Sequence, residues 1–151
     1  MIGIPVGLVF ANAMEWVFHK HVLHGLGKRK NSFWSFHWHE HHRASRRHAF
    51  LDDAYRGSLL RWNAQSKEVL ALAAGALVLL PLVPIAPFFV GTVWFCEFDY
   101  HRKHRRAHLE PEWAREHLPW HYAHHMGHNQ DANWCVKRPW MDTVMGTRSA
   151  M

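Results

Sequence analysis

Between Phe36 and His48 the chain reads FHWHEHHRASRRH, five histidines and three arginines in thirteen residues. Sixteen histidines occur in 151 residues, and most fall into clusters: His19, His21 and His24; His37, His39, His41 and His42; His101, His104 and His108; and His117, His121, His124, His125 and His128. A neutral imidazole is a nitrogen ligand suited to iron, zinc, copper or nickel. On an α-helix each residue turns by about 100°, so residues three and four apart share a face. By that arithmetic His117, His121, His124, His125 and His128 fall within roughly 100° of arc, and His101, His104 and His108 within roughly 60°. One histidine on a helix face is usually a satisfied polar residue. Eight on two face-aligned helices point to a metal site.

Spacing removes several other metal chemistries. HEHHR at His39 starts like the HExxH of metalloproteases, but the second histidine of that motif would fall at Arg43. Ferritin-like di-iron sites need glutamates and Glu-x-x-His pairs. Carboxylates are scarce near these clusters, so a set made of histidine alone is expected. Cys96 and Cys135 form no CxxC and are expected to be packing residues in a reducing compartment.

The elements that position the histidines come from two apolar blocks. Residues 1–18 form the first; residues 69–96 form the second, with no charged residue. A membrane helix needs roughly 20 predominantly apolar residues. The first block has no basic n-region of a signal peptide and is expected to be a retained helix over about residues 4–23, ending near Gly25 and Gly27. The second contains PLVPIAP, whose three prolines break a helix. It is therefore expected to be a hairpin, one arm over about 66–80 and the other over about 87–108. A hairpin crosses twice, so the two histidine-rich segments lie on one side of the membrane. A short helix around 37–47 and another over 112–128 are expected outside the bilayer.

Net charge is +6, and the basic residues flank the apolar blocks: Lys28, Arg29 and Lys30, then Arg43, Arg46 and Arg47, then Arg102, Lys103, Arg105 and Arg106. That pattern fits the positive-inside rule and a cytoplasmic location for the histidines. Nine tryptophans suit an interfacial belt. No nucleic-acid reader motif is present, and a nucleic-acid partner is not expected. The expected architecture is a single all-α domain over 1–151: one N-terminal membrane span and a helical hairpin, with a cytosolic histidine-rich helical cap holding the metal site, which the resemblance given next implies is a dimetal site.

Four spacings carry a resemblance: HxxxxH at His19 and His24, HxxxHH at His37, His41 and His42, HxxxH at His104 and His108, and HxxHH at His121, His124 and His125. In order and in this apolar context they resemble the fatty acid hydroxylase superfamily, which includes sterol desaturases, fatty acid 2-hydroxylases and carotene hydroxylases. NWCVKRPWMDTVMGT resembles that family's C-terminal signature at Asn133, Pro139, Asp142, Gly146 and Thr147. The resemblance implies that these ten histidines ligate two iron ions, which zinc can replace on purification. It implies an integral membrane enzyme that uses O2 to hydroxylate or desaturate a lipid such as a fatty acid, sterol or carotenoid. Electrons would come from an external donor protein, since the chain has no flavin, haem or iron–sulfur motif.

Two choices stay open. His21 and His24, three apart, make a better α-helical pair than His19 and His24, whereas the family pattern favours His19. The second cluster is HxxxHH where HxxHH is common, with Trp38 at the completing position, so His39 competes with His37. His21, His39, His48, His101, His117 and His128 are left over, expected to hydrogen-bond the ligands or to lie at the interface. The alternative reading is a noncatalytic membrane metal-binding or transport protein. Transport favours polar ligands at bilayer depth, where these apolar blocks offer only Glu15.

Overall fold

The structure, a computed structural model, describes residues 1–149. All regular elements among them are helical. Helix α1 (Gly3–Val17) continues without a break into a π-helix, Phe18–Leu26. A second π-helix, His37–His42, runs into the short α2 (Arg43–Arg47). The hairpin follows as α3 (Ala64–Val78) and α4 (Pro87–Leu109), then α5 (Pro111–His117), α6 (Pro119–Met126) and α7 (Trp140–Val144).

Local sequence accounts for these limits. Asn63 caps α3 by accepting from the Ser66 amide at 3.1 Å, while Ser66 Oγ accepts from the Asn63 amide at 3.0 Å. This reciprocal box satisfies two end-of-helix donors. Pro87 opens α4 at its first turn, where no amide proton is needed. Expected as one helix, residues 112–128 are two. Pro119 disfavours helical backbone at Leu118, which sits at φ −132°, ψ 50°, so the chain turns and restarts. The common face that includes His117 therefore does not exist, and His128 lies beyond the end of α6.

Helices α1 and α4 pack closely along their apolar halves. A Cβ at Gly3 would stand 2.8 Å from the Phe89 amide nitrogen, and one at Gly7 would stand 2.8 Å from Thr92 Cβ, so only glycine permits this approach. Phe10 meets Phe89 edge-to-face just beyond. Helix α3 joins α4 on another side, where Trp94 Nε1 donates to the Ala76 carbonyl at 3.1 Å. The segment Ala64–Leu82 is long and apolar enough to cross a membrane by length and composition. Large apolar side chains stand exposed on all three helices, among them Val6, Val9, Leu77, Val78, Phe88 and Phe95. The C-terminal ends of α1 and α4 and the N-terminal end of α3 meet at one end of the molecule, and the histidines fill the core there.

Candidate metal centre

The two π-helices set the ligand geometry. A π-helix bonds residue i to i+5, so residues five apart stand one turn apart on one face. His19 and His24 are five apart in the first π-helix; His37 and His42 are five apart in the second. Both pairs point inward and are buried, whereas His21 is exposed and His39 is half-buried, turned to the Lys28 carbonyl at 3.1 Å. The structure thus brings His19 and His37, not His21 and His39, to the cluster. Trp38, beside His37, stacks on the outer side of His42 with ring centroids 5.2 Å apart.

His19, His24, His37, His42 and His124 form one group, each with a ring nitrogen within 4.8 Å of the others. The Nε2 atoms of His24, His42 and His124 make a triangle with edges of 3.1, 3.1 and 3.2 Å. His37 Nε2 lies 3.2 Å from His42 Nε2 and 3.0 Å from His19 Nε2. Two ligand nitrogens held about 2.0–2.1 Å from one ion are separated by about 3 Å. His41, His104, His108 and His125 form a second group by the same distance criterion. His121 joins it through His108, their Nε2 atoms being 3.2 Å apart. All ten imidazoles are buried, none more than 2% exposed.

The adjacent pairs in the sequence acquire a physical reason. His41 and His42 serve different groups, and so do His124 and His125. Neighbours on a helix point in different directions, so each HH pair spans the two groups. The rings of His42 and His125 stack across the boundary at 4.1 Å. The two groups are side by side.

The tautomers follow from the outer contacts. His19 Nδ1 donates to the Trp134 carbonyl, His124 Nδ1 to the Ala132 carbonyl at 2.6 Å, and His108 Nδ1 to the Phe50 carbonyl at 2.9 Å. His41 Nδ1 donates to Asp52 at 2.8 Å, His104 Nδ1 to Glu68 at 2.7 Å, His42 Nδ1 to Gln130 at 3.0 Å and His24 Nδ1 to Asp131 at 3.4 Å. These oxygens accept, so the proton sits on Nδ1 and Nε2 presents a bare lone pair. Three bare lone pairs face one another in the His24–His42–His124 triangle. Without a cation they repel; with one they are a ligand set. In the second group the Nε2 atoms of His41 and His104 and both ring nitrogens of His125 are buried without a hydrogen-bond partner, and a cation would answer one nitrogen of each ring. The buried clusters could hold a metal ion.

Sequence reasoning missed Asp52, Glu68, Gln130 and Asp131. Glu68, Gln130 and Asp131 lie 36, 88 and 107 residues from the histidines they orient, and Asp52 lies eleven from His41 across a turn, with no periodic signal to join them. Glu68 also accepts from Tyr55 Oη at 2.6 Å and from His101 Nδ1 at 2.9 Å, so one carboxylate braces three groups. The C-terminal segment supplies the carbonyls of Ala132 and Trp134. It is held by Asp142, which accepts from the Trp134 and Cys135 amides and from Thr147 Oγ1 at 2.9, 2.8 and 2.7 Å. Phe50 adopts a left-handed backbone, φ 80°, that aims its carbonyl at His108 Nδ1 and lays its ring on the His108 ring. Such a φ costs about 1–3 kcal/mol in a non-glycine residue. The other left-over histidines stay outside: His48, His117 and His128 are exposed, and His117 lies flat on Trp113.

Asp52→Asn is expected to weaken metal binding by about 10–100-fold, the usual effect of losing an outer partner of a ligating imidazole. Metal titration of the purified variant against the native chain measures it.

Burial, reinforced by neighbouring imidazoles, holds His37, His41, His42, His108, His121, His124 and His125 well below the ordinary histidine range. They are neutral at pH 7, the form that ligates metal. The unfolded chain takes up these protons below about pH 6.5 while the folded chain does not, so stability falls as pH falls. Each such group can contribute up to about 1.4 kcal/mol per pH unit in that range. The midpoint of thermal unfolding is expected to drop steadily from pH 7.5 to pH 5, with metal released on the acid side.

A cavity of about 300 Å³ opens between α1, α3 and α4. His19, His37, Glu68 and Tyr100 line its end at the imidazoles; Phe10, Val78 and Leu79 line the other. Leu72, Val93 and Met14 give apolar walls between. Compared with protein-family models, curated proteins and solved structures, the chain matches none.

Proposed function

We propose that the protein is an integral membrane, O2-dependent lipid hydroxylase or desaturase that works with two iron ions. The observation that carries this reading is the pair of adjoining, buried imidazole groups, the first of which lines one end of an apolar cavity through His19 and His37. His19, His24, His37, His42 and His124 would hold one ion; His41, His104, His108, His121 and His125 would hold the other. Iron bound there supplies O2 activation and the oxidising power that an unactivated C–H bond requires.

The chain's own part is positioning. Leu72, Val93 and Phe36 confine an apolar chain and lead it toward His19 and His37. The buried imidazoles keep bulk water from the reacting carbon. Carboxylates, carbonyls and the Gln130 amide on Nδ1 keep the Nε2 atoms of His19, His24, His41, His42, His104, His108 and His124 free and aimed. The exposed apolar residues of α1, α3 and α4 would face lipid, and the basic clusters would hold the histidine-rich end at the cytoplasmic face. A lipid then reaches the cavity without leaving the bilayer, and a separate donor protein delivers electrons from the cytoplasm. The four histidine spacings and the C-terminal signature, with their resemblance to the fatty acid hydroxylase superfamily, support the same reading. A transport role is less well supported, because the imidazoles gather at one end of the helices.

Lipid extracts of cells with and without the protein test this directly. The expected result is an O2-dependent product that has gained one oxygen atom or lost two hydrogens. Unchanged lipids in cells holding the iron-loaded protein and a competent donor would contradict it.

A further inference from the structure

The ten imidazoles are buried, so an electron from outside must pass through other side chains to reach them. Electron transfer weakens steeply with distance, and a delocalised ring in contact with an imidazole shortens the gap. Among the described residues, Phe36, Trp38, Phe50, Tyr55, Tyr100 and Trp134 meet these imidazoles ring to ring. Five of the six are buried, and only Trp38 reaches the surface. Trp38 meets two imidazoles of the first group at once. It stacks on His42 with centroids 5.2 Å apart and stands edge-on to His24 at 5.0 Å. His42 in turn stacks on His125 of the second group. One outer ring thus leads to both groups.

The surface around Trp38 is basic. Lys28 Nζ lies 4.7 Å from its ring centroid and pairs with Asp131 at 2.7 Å. Arg29 and Lys30 follow Lys28 directly, exposed and without an ion pair to any described residue. Arg43 and Arg47 are also exposed and unpaired, on the α2 helix that runs on from Trp38's own turn. The exposed carboxylates beside this patch are already used, Asp131 by Lys28 and Glu40 by Lys67. Positive charge is left over, and it selects a partner of negative charge.

We propose that Trp38 is the entry point for electrons and that Lys28, Arg29, Lys30 and Arg43 dock an acidic one-electron donor protein over it. This rests on the reading of the imidazole groups as an iron centre. In each transfer the donor loses one electron and an iron(III) ion gains it. The indole passes the electron on without net change, and no bond or proton moves.

Reduction and binding, not lipid turnover, test it. The full chain, iron-loaded and oxidised in neutral detergent micelles, is mixed with a reduced plant-type [2Fe–2S] ferredoxin, an acidic donor whose own absorbance reports its oxidation. Arg29→Glu with Lys30→Glu is expected to slow the second-order reaction by about tenfold or more at low salt, a difference that shrinks as salt screens it. The same pair should weaken binding of oxidised ferredoxin to the zinc-loaded chain. Trp38→Leu is expected to lower the rate at saturating ferredoxin severalfold while iron content and ferredoxin affinity hold, and Trp38→Tyr to restore most of it. Trp38→Gln serves if the leucine variant loses its iron. Trp113→Phe should keep the native rate, since Trp113 meets none of the ten imidazoles. Native rates without an aromatic ring at position 38 would overturn the proposal. So would ferredoxin binding untouched by the charge reversal, which would assign the basic cluster to anionic lipid. Either result leaves the lipid reading standing, provided dithionite still reduces the bound iron. A chain that takes up no iron would overturn both.

Discussion

His124→Ala is expected to lose the ion of the first group and, with it, product formation. His124 supplies one corner of the triangle with His24 and His42, at 3.1 and 3.2 Å, and is fully buried. Removing an outer partner of a ligand already weakens binding by about 10–100-fold, so removing the ligand itself should exceed about 100-fold. Metal per chain should fall by about half if the second group retains its ion, and lipid turnover should fall to background, since neither ion alone would complete the centre. His128→Ala is the matched control. His128 is four residues away, exposed and past the end of α6. It should keep full metal content and activity. Equal metal content in the two variants would remove His124 from the ligand set.

The second large effect is on stability. A metal that binds the folded chain only stabilises it by about 4 kcal/mol when present at about a thousand times its dissociation constant. For a chain of this size each kcal/mol moves the thermal midpoint by about 2–4 °C. Two ions together contribute about 8 kcal/mol, which places the expected loss on chelation at roughly 16–32 °C. The reason is local: without an ion, the bare nitrogens of His24, His42 and His124 face one another in a dry core. The histidine-rich end should loosen first, because its core is imidazole where an ordinary core is apolar. Helix α4 joins this end to the apolar half through His104 and His108. Thermal unfolding by circular dichroism, before and after chelation and after adding metal back, measures both the loss and its reversal.

Much of this site could be read from residue type and order. The hairpin limits followed from the three prolines, and the grouping of histidines followed from their spacing. The choice between His19 and His21 did not. On an α-helix the 21–24 pair is better aligned, and only the i→i+5 bonding of the π-helix reverses that preference. The same holds for His37 against His39. The break before α6 was written in Pro119, yet the regular spacing from His117 to His128 suggested one continuous face. Asp52, Glu68, Gln130 and Asp131 carried no signal, since the chain must fold before they meet their imidazoles. The reading of a site made of histidine alone holds for the innermost atoms and omits the carboxylates that aim them.

The central claim is that ten imidazoles hold two ions. Its most direct measurement is the metal content of the chain, purified without chelator from iron-replete cells and quantified against protein by elemental analysis. About two ions per chain are expected, both lost when His42 and His125 are replaced together. A folded, helical protein that carries no metal and takes up none on titration would contradict it.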